Sequence, residues 1–539
     1  MGKLSVKSFL ISGISLPFTC DESEAINSAR LRMKRAGVDS SQLHFRLYKK
    51  STDARKKQDI RFVYSVLAFS DAEISVNESV LERASVKAYK EEKIEIKYGS
   101  EQLSAPPLVV GMGPCGMFAA LLLAKNGYAP VLIDRGGSVD ERVAEVDKFY
   151  KSGRLNVNTN IQFGAGGAGT FSDGKLVTRI NDPKCNFVLE TLKEFGAPED
   201  ILVKAKPHIG TDILRTVVSN ILNEIERLGG KLIYNCTLEE INESGNHLIA
   251  RTSVGDIECG ACVLAVGHSA RDTYGMLMDK GYEIAPKPFS VGVRIEHLQS
   301  DIDKALFGDL AGNERIGKGE YNLSYTLGER GVYTFCMCPG GEVVAAASED
   351  GGVVVNGMSS YKRDGVNANS AVAVSVTPSD VGNDVRRAIE FQRQLERSAF
   401  LSGGGDYTAP CQTVGDFLLG VVKNEPSRVR PTYMNGKCRV TNLRDVLPSF
   451  VSENLKTGLL SFDKKLSGFS ASDAVLTGVE TRTSAPLTVK RTEEMTAVTN
   501  NRVYPAGEGA GYAGGITSAA VDGVKVALKI MSRFANNKV

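Results

Sequence analysis

The sequence predicts an α/β protein in three parts: a parallel-sheet domain, an α+β substrate or cap domain inserted into it, and a small N-terminal α+β domain. Three observations carry this expectation. Strand, glycine turn, helix and second strand follow one another in PLVVGMGPCGMFAALLLAKNGYAPVLIDRG at 107–136. Strand, glycine loop and helix return in NRVYPAGEGAGYAGGITSAAVDGVKVALKI at 501–530. Between them, from 276 to 494, the pattern changes to short strands, turns and mixed helices.

Taken in order, residues 1–98 read as a separate module. KLSVKSFLISGI is strand-like, DESEAINSARLRMKRAG is helical from Asp21 or Ser23, and LHFRLYKKS and DIRFVYSVLAFS alternate as strands. This β-α-β-β order fits a ferredoxin-like α+β domain. EQLSAPP, with two prolines, reads as a linker. From 104 to 275 strands and helices alternate. SNILNEIERLGGKLIYNCTLEEI is a helix closed by Gly229 and Gly230 and followed by a strand. DIECGACVLAVGHSA is a turn and an almost wholly apolar strand, the pattern of a strand buried in a parallel sheet. Residues 276–494 form the insert, with LSGGGDY at 401–407 expected as a mobile loop, and 495–539 complete the first domain.

Composition bounds the function. At 539 residues, 42% hydrophobic and 24% charged, the chain has the make-up of a soluble protein of roughly three domains. A net charge of +2 argues against wholesale attraction to nucleic acid or membrane. No apolar run approaches the roughly 18 residues that span a bilayer. Pro17 and Phe18 interrupt the N-terminal stretch, which lacks the pattern of an export signal. Ten scattered cysteines then read as reduced thiols, and the expected location is cytoplasmic.

Each part of the 107–136 stretch has a physical task. Gly111 permits a tight turn, Gly113 lets backbone approach a pyrophosphate, and Gly116 lets helix and strand pack closely. The helix that opens at Pro114 and Cys115 offers free N–H groups to phosphates. Asp134, 23 positions after Gly111, stands where a carboxylate accepts a ribose hydroxyl. A lone G-x-G-x-x-G is a weak signal. Here strand, glycines, helix, strand and acid arrive in order, so a Rossmann-like nucleotide-binding unit is the reading.

The choice of nucleotide comes from resemblance. The chain resembles FAD enzymes of the two-dinucleotide-binding-fold, glutathione-reductase-like type in four places. These are the fingerprint, continued by Arg135 and Gly136; the strand of VLAVGHSA, with Ala265, Gly267 and His268; GGKLIYNCTLEEI, whose Thr237 or Leu238 would meet the adenine; and VYPAGEGAGYAGGITSAAVDG. In the last, the resemblance places Gly507, Glu508 and Gly509 at the ribityl and pyrophosphate region, and Gly514, Gly515 and Ile516 at a helix start aimed at the flavin. NIQFGAGGAGTFSDGKLVTR, PHIGTDILR, KPFSVGVRIEH, YTFCMCPGGEVV and NGMSSYKRDGVNANSAV narrow it further. With these the chain is similar to the FAD-dependent oxidoreductases called NAD(FAD)-utilising dehydrogenases, an uncharacterised family without an agreed substrate. The similarity reaches RLYKKSTDARKKQDIRFVYSV in the first module. One departure is Asp134, where many relatives of the superfamily carry Glu.

The chemistry-bearing residues are weighed against structural roles. GAGGAGTFSDGKL, 164–176, reads as an anion nest and a second wall of the FAD site, through Gly166, Gly167, Gly169, Thr170, Ser172 and Lys175. Lys175 is followed by Leu176, so this is not a Walker A loop. Cys336 and Cys338 are the redox candidates, since a flavin can pass electrons to a neighbouring disulfide. On a regular strand they would lie about 7 Å apart on one face, too far for an easy disulfide, and buried small hydrophobes are the favoured reading. Cys259 and Cys262 precede a strand and read as structural. No cysteine or histidine set has metal spacing. His208 beside a glycine turn suits anion binding, proton transfer or a structural hydrogen bond. Arg294 on an apolar strand needs a partner, a substrate anion or Glu296. Lys362 and Arg363 read as solvated. Lys175, Arg294 and His208 are the catalytic candidates.

The resulting expectation is an FAD-dependent oxidoreductase transferring hydride or electrons between a small organic substrate and the flavin. NAD(P)H is a candidate donor, although no second G-x-G-x-x-G is present for it. The alternative is a flavin-dependent RNA-modifying or RNA-binding protein that uses the basic run RLYKKSTDARKKQDIR.

Overall fold

The computed structural model describes residues 3–536. The first two residues of the N-terminal module and the last three of the 495–539 segment lie outside them.

The N-terminal strands form an antiparallel sheet in the spatial order His44–Asp53, Arg61–Asn77, Lys3–Pro17, Val86–Ala88. The helix Glu22–Arg35 lies between its first two strands in sequence and buries Ala25, Ala29 and Met33 against Phe9, Phe62 and Tyr64. The short helix Glu78–Arg83 and the strand Val86–Ala88 follow the four elements read from the sequence. Three of the seven basic residues of the basic run are paired. Lys50 pairs with Glu22 at 3.2 Å, Arg55 with Asp53 at 2.6 Å and Arg61 with Asp59 at 3.3 Å. The Lys50 N–H also donates to the Val203 carbonyl at 2.7 Å, joining this sheet to the rest of the chain.

Residues 89–107 form no helix or strand, yet the expected linker is anchored. Glu101 receives Arg502 at 3.2 Å and Arg533 at 2.7 Å, and the Gly99 N–H donates to Met531. The chain then enters a five-stranded parallel sheet in the order Val503–Pro505, Cys262–Leu264, Leu108–Val110, Val131–Ile133, Lys231–Ile233. Its strands are three residues each and mostly apolar, as sheets covered on both faces require. The helix Pro114–Lys125 is apolar almost all round and buried from Cys115 to Ala124. Such a helix belongs inside a core. It packs against Ile516–Arg533 and Thr211–Arg227, one helix from the C-terminal end of the sequence and one from its middle.

The polypeptide leaves this sheet through Ile284–Pro286 and returns through Leu487–Val489, and these two strands pair with each other. Between them lies a seven-stranded sheet. Its centre is the antiparallel pair Phe289–Leu298 and Asn367–Val376, in register from Phe289 with Val376 to Leu298 with Asn367. The helices Val385–Gly403 and Ser449–Lys465 cover it. Residues 401–407, expected as a mobile loop, are instead the end of the first of these helices and its glycine cap. Gly404 adopts φ 115°, and buried Tyr407 meets Phe149 and Phe400 edge-on, both with ring centroids 5.0 Å away. Among the described residues, no helix is long and apolar enough to cross a membrane.

Candidate functional site

The three glycine-rich segments read from the sequence converge on one end of the parallel sheet. In the first, Gly111 has φ 104°, and a Cβ there would lie 2.3 Å from the Ala265 carbonyl oxygen. A Cβ on Gly116 would lie 1.9 Å from the Gly111 oxygen, so helix and turn are packed as closely as backbone allows. Gly113 differs: a Cβ there would meet only the Gly167 Cα, at 3.8 Å. The 164–176 loop lies over this turn. Gly166 N–H donates to the Met112 carbonyl at 2.8 Å, and Ala165 N–H to Gly137 at 3.0 Å. Pro114, Gly169 and Ile516 meet at one small apolar cleft. The Thr170 and Ser172 hydroxyls are spent inside the loop, on the Ala165 and Gly169 carbonyls.

A second cleft is walled by Val110, Gly111, Asp134, Arg135, Leu238 and Val266. Asp134 binds its own turn with both carboxylate oxygens, accepting from Met112 N–H at 2.8 Å and Gly136 N–H at 2.9 Å. The acid therefore holds the phosphate turn in shape as well as facing the cleft. Gly136 is pressed against Asn158 and Gly164, where a Cβ would come within 2.7 Å of backbone. Arg135 lies over the Phe163 ring at 4.3 Å and bonds Asp272 at 2.8 Å.

The C-terminal loop divides by role. Gly507 and Cys115 pack on each other: a Cβ on Gly507 would lie 2.8 Å from the Cys115 Cβ, and Gly507 N–H donates to Asp522 at 2.8 Å. Both are expected to line the ligand, and their contact with each other joins the loop to the two central helices. Glu508 is pushed up to about 7 by burial, with Lys287 opposing. Tyr274 Oη ties strand end to loop, donating to the Gly267 carbonyl at 3.0 Å and the Gly509 carbonyl at 2.9 Å. At Gly267, Gly514 and Gly515 an added Cβ would meet nothing within 4 Å. These glycines face open space, and the helix Ile516–Arg533 starts behind two of them.

A family model described as FAD-dependent protein, C-terminal domain-like matches residues 288–483. An uncharacterised protein of Clostridium beijerinckii is 48% identical over 496 residues, covering 90% of this chain and 92% of its own length. The chain belongs to this family of FAD-dependent proteins. Solved structures give weaker likenesses. CtdE in complex with FAD is 11% identical over 80% of this chain and 87% of its own, with a TM-score of 0.33. The flavin-dependent halogenase CmlS is 12% identical over 79% and 58%, with a TM-score of 0.37. A geranylgeranyl bacteriochlorophyll reductase-like protein of Thermoplasma acidophilum is 12% identical over 80% and 79%, with a TM-score of 0.34. Scores this low establish no shared fold. The RNA alternative gains no support from these likenesses.

In this FAD-dependent protein the residue that organises the 158–167 backbone is Arg142, which the sequence reading missed. Its side chain is fully buried, and among the described residues no carboxylate pairs with it directly. It donates to five carbonyls, among them Ala165 at 2.5 Å, Ile161 at 2.9 Å and Gly167 at 3.0 Å. Burial pulls its pKa down to about 9. A signal was present: Val139, Arg142, Val146 and Phe149 share the buried face of one helix, so the arginine interrupts an apolar stripe.

The catalytic candidates are placed differently from expectation. Arg294 pairs with Glu480 at 2.9 Å, not with Glu296, which accepts from Thr432 and Asn367. Burial works against its charge, yet Glu480 holds it above its ordinary value. All five guanidinium N–H groups are taken, the others by Asn369, Asn356, the Cys336 carbonyl and the Cys338 sulfur. None is left for a substrate. Lys175 turns away from the phosphate turn, toward the Met337 carbonyl and Glu320. His208 bonds the Tyr361 carbonyl at 3.0 Å and stacks on that ring. Burial pushes it below the ordinary histidine value. Arg363, expected in solvent, is buried in an ion pair with Asp173 and reaches Glu320 at 2.8 Å; Lys362 is exposed.

His268 is a neutral ring between the strand end and a cation pair. It bonds Ser269 Oγ at 2.9 Å, and burial pushes it down to about 4, with Arg482 and Arg271 adding to the effect. Those arginines share buried Glu396 at 2.9 and 2.7 Å. The strand carrying Cys336 and Cys338 is irregular, which corrects the spacing expected of them. Its register slips between Phe335 and Cys338, and Cys336 has φ 47°.

Proposed function

We propose that the protein is an FAD-dependent oxidoreductase of the two-dinucleotide-binding-fold kind, acting on a small organic substrate in the cytoplasm. The supporting observation is the convergence of Gly113, the 164–172 loop, the Asp134–Leu238 cleft and the open Gly514–Gly515 helix start on one sheet end. These residues fit a dinucleotide that carries a flat ring. In this reading the segments 104–275 and 495–539 hold the cofactor, and 276–494 supplies the substrate side.

Bound FAD supplies two-electron chemistry, with the protein contributing placement and electrostatics. Backbone N–H groups at the Pro114–Lys125 helix start would hold the pyrophosphate, aided by the positive end of the helix dipole. Arg135 on Phe163 and Leu238 enclose the adenosine end. The start of Ile516–Arg533 would lie at the ring end of the site, where its dipole would favour negative charge. Lys287 and Glu508 set the charge beside that region, and Glu508, near neutral pH in its proton affinity, can hold a proton. NADH or NADPH is the proposed donor.

Anaerobic titration of the purified yellow protein with NADH and NADPH tests this reading. Loss of the flavin absorbance with one equivalent of either supports a nicotinamide-coupled oxidoreductase. Flavin that dithionite reduces and neither nucleotide does removes NAD(P)H from the proposal. Flavin that no chemical reductant reaches removes the oxidoreductase reading altogether.

A further inference from the structure

The register slip at Phe335–Cys338 places two thiols where a regular strand would hold them apart. Side chains at i and i+2 of a straight strand stand about 7 Å apart. Here Cys338 Sγ turns back along the strand and donates to the Cys336 carbonyl at 3.3 Å, and the two thiols act on each other's acidity. Cationic groups hold the segment from two sides. Arg294 donates to the Cys336 carbonyl at 2.5 Å and approaches Cys338 Sγ at 3.9 Å, and Lys175 donates to the Met337 carbonyl. Lys175 reaches the segment from the 164–176 loop, and Cys336 acts electrostatically on Glu508 of the C-terminal loop, so the thiols neighbour the proposed flavin site. Cys336 is partly exposed and Cys338 is buried.

The two thiols are unequal in acidity as well as exposure. The Cys338 side chain, with the charges of Arg294 and Lys175, pulls Cys336 below the usual thiol value against its burial. The Cys336 side chain and burial push Cys338 up. A reachable, acidic thiol beside a buried, less acidic one is the asymmetry of an attacking and a resolving sulfur.

We propose that Cys336 and Cys338 are a redox-active dithiol that exchanges with a small-molecule disulfide. The Cys336 thiolate attacks one sulfur of the substrate R–S–S–R. The substrate S–S bond breaks, a Cys336–S–S–R bond forms, and RS⁻ leaves. Cys338, deprotonated in turn, attacks the Cys336 sulfur and displaces the second RS⁻, closing the Cys336–Cys338 bond. The protein loses two electrons, the substrate disulfide gains them, and the two cysteine protons end on the two released thiols. Excess small-molecule thiol reverses the sequence. The chemistry stands independently of the flavin reading, and only its neighbourhood is shared.

Thiol mapping in glutathione buffers of graded oxidised-to-reduced ratio tests the proposal on the full-length protein. Samples are acid-quenched, alkylated, digested and weighed. The expected result is that the peptide bearing Cys336 and Cys338 passes from two alkyl labels to none and loses the mass of two hydrogens. Cys259 with Cys262, and Cys411 with Cys438, are also thiol pairs that act on each other's acidity but lack a neighbouring cation among the charges acting on them. They should keep their labels. Cys338→Ser should trap one glutathione on Cys336, and Cys336→Ser should trap none. Two labels retained across the whole series in the wild-type protein would overturn the proposal, as would glutathione on Cys336 that never resolves. Neither readout uses flavin absorbance, so failure here is separable from failure of the FAD reading.

Discussion

Gly113 and Gly116 stand in one turn and should respond oppositely to the same substitution. At Gly113 the backbone is extended, with φ −74° and ψ 178°, and an added Cβ makes one ordinary contact at 3.8 Å. Gly113→Ala should leave stability unchanged or raise it by about 0.4–1 kcal/mol, through the unfolded chain. The methyl instead stands where the pyrophosphate is to approach. Losing one hydrogen bond to a charged group removes about 1.5–3 kcal/mol, which weakens FAD binding roughly ten- to hundredfold. Gly116→Ala puts its Cβ 1.9 Å from the Gly111 oxygen, forcing helix and turn apart. Overpacking of this kind costs about 1–3 kcal/mol or more, which outweighs the roughly 1 kcal/mol gained in helix propensity. Melting temperature with and without added FAD, together with flavin-fluorescence titration of deflavinated protein, separates the two effects. If Gly113→Ala binds FAD like wild type, or unfolds as easily as Gly116→Ala, the role given to this turn is wrong.

Three further outcomes follow from the buried charges. Arg142→Lys leaves too few donors for five carbonyls, so urea unfolding should show a loss of about 2–4 kcal/mol, with the 158–167 segment cut first in limited proteolysis. Glu480→Leu strands the Arg294 charge and should cost about 3–5 kcal/mol, while the double change Arg294→Met with Glu480→Leu should recover much of it. A double mutant no more stable than the single one would contradict this. His268 is held near 4 in the fold against an ordinary 6.5. Above pH 6.5 it is neutral in both states; as pH falls toward 4 the unfolded chain takes up the proton first, so stability is lost across that window. His268→Asn should flatten this part of the acid-unfolding profile by up to about 3 kcal/mol. An unchanged profile would show that the ring is not held neutral.

What the sequence made legible is what is local in it. Gly111, Gly116, Asp134 and the helix from Pro114 lie within one short stretch, so spacing alone assigns their tasks. The glycines near 514 were legible for the same reason. The ion pairs were not: Arg294 meets Glu480 from 186 positions away, and Arg363 meets Asp173 from 190. The sequence offered Glu296, two positions along the same strand, and only the sheet order, which puts Val475–Glu480 beside Phe289–Leu298, supplies Glu480 instead. The bulge at Cys336 was hidden for a related reason. YTFCMC reads as an unbroken strand, and its slip is set by pairing with Asn367–Val376. Cys115 and Gly507 sit in ligand-binding motifs, yet their neighbours are each other, a contact across most of the chain.

The central claim is that this glycine-walled sheet end holds FAD. The most direct test is the visible spectrum of the purified protein, with the released chromophore identified after denaturation. The expected result is a yellow protein that releases about one FAD per chain. A colourless protein that takes up no added FAD would contradict it.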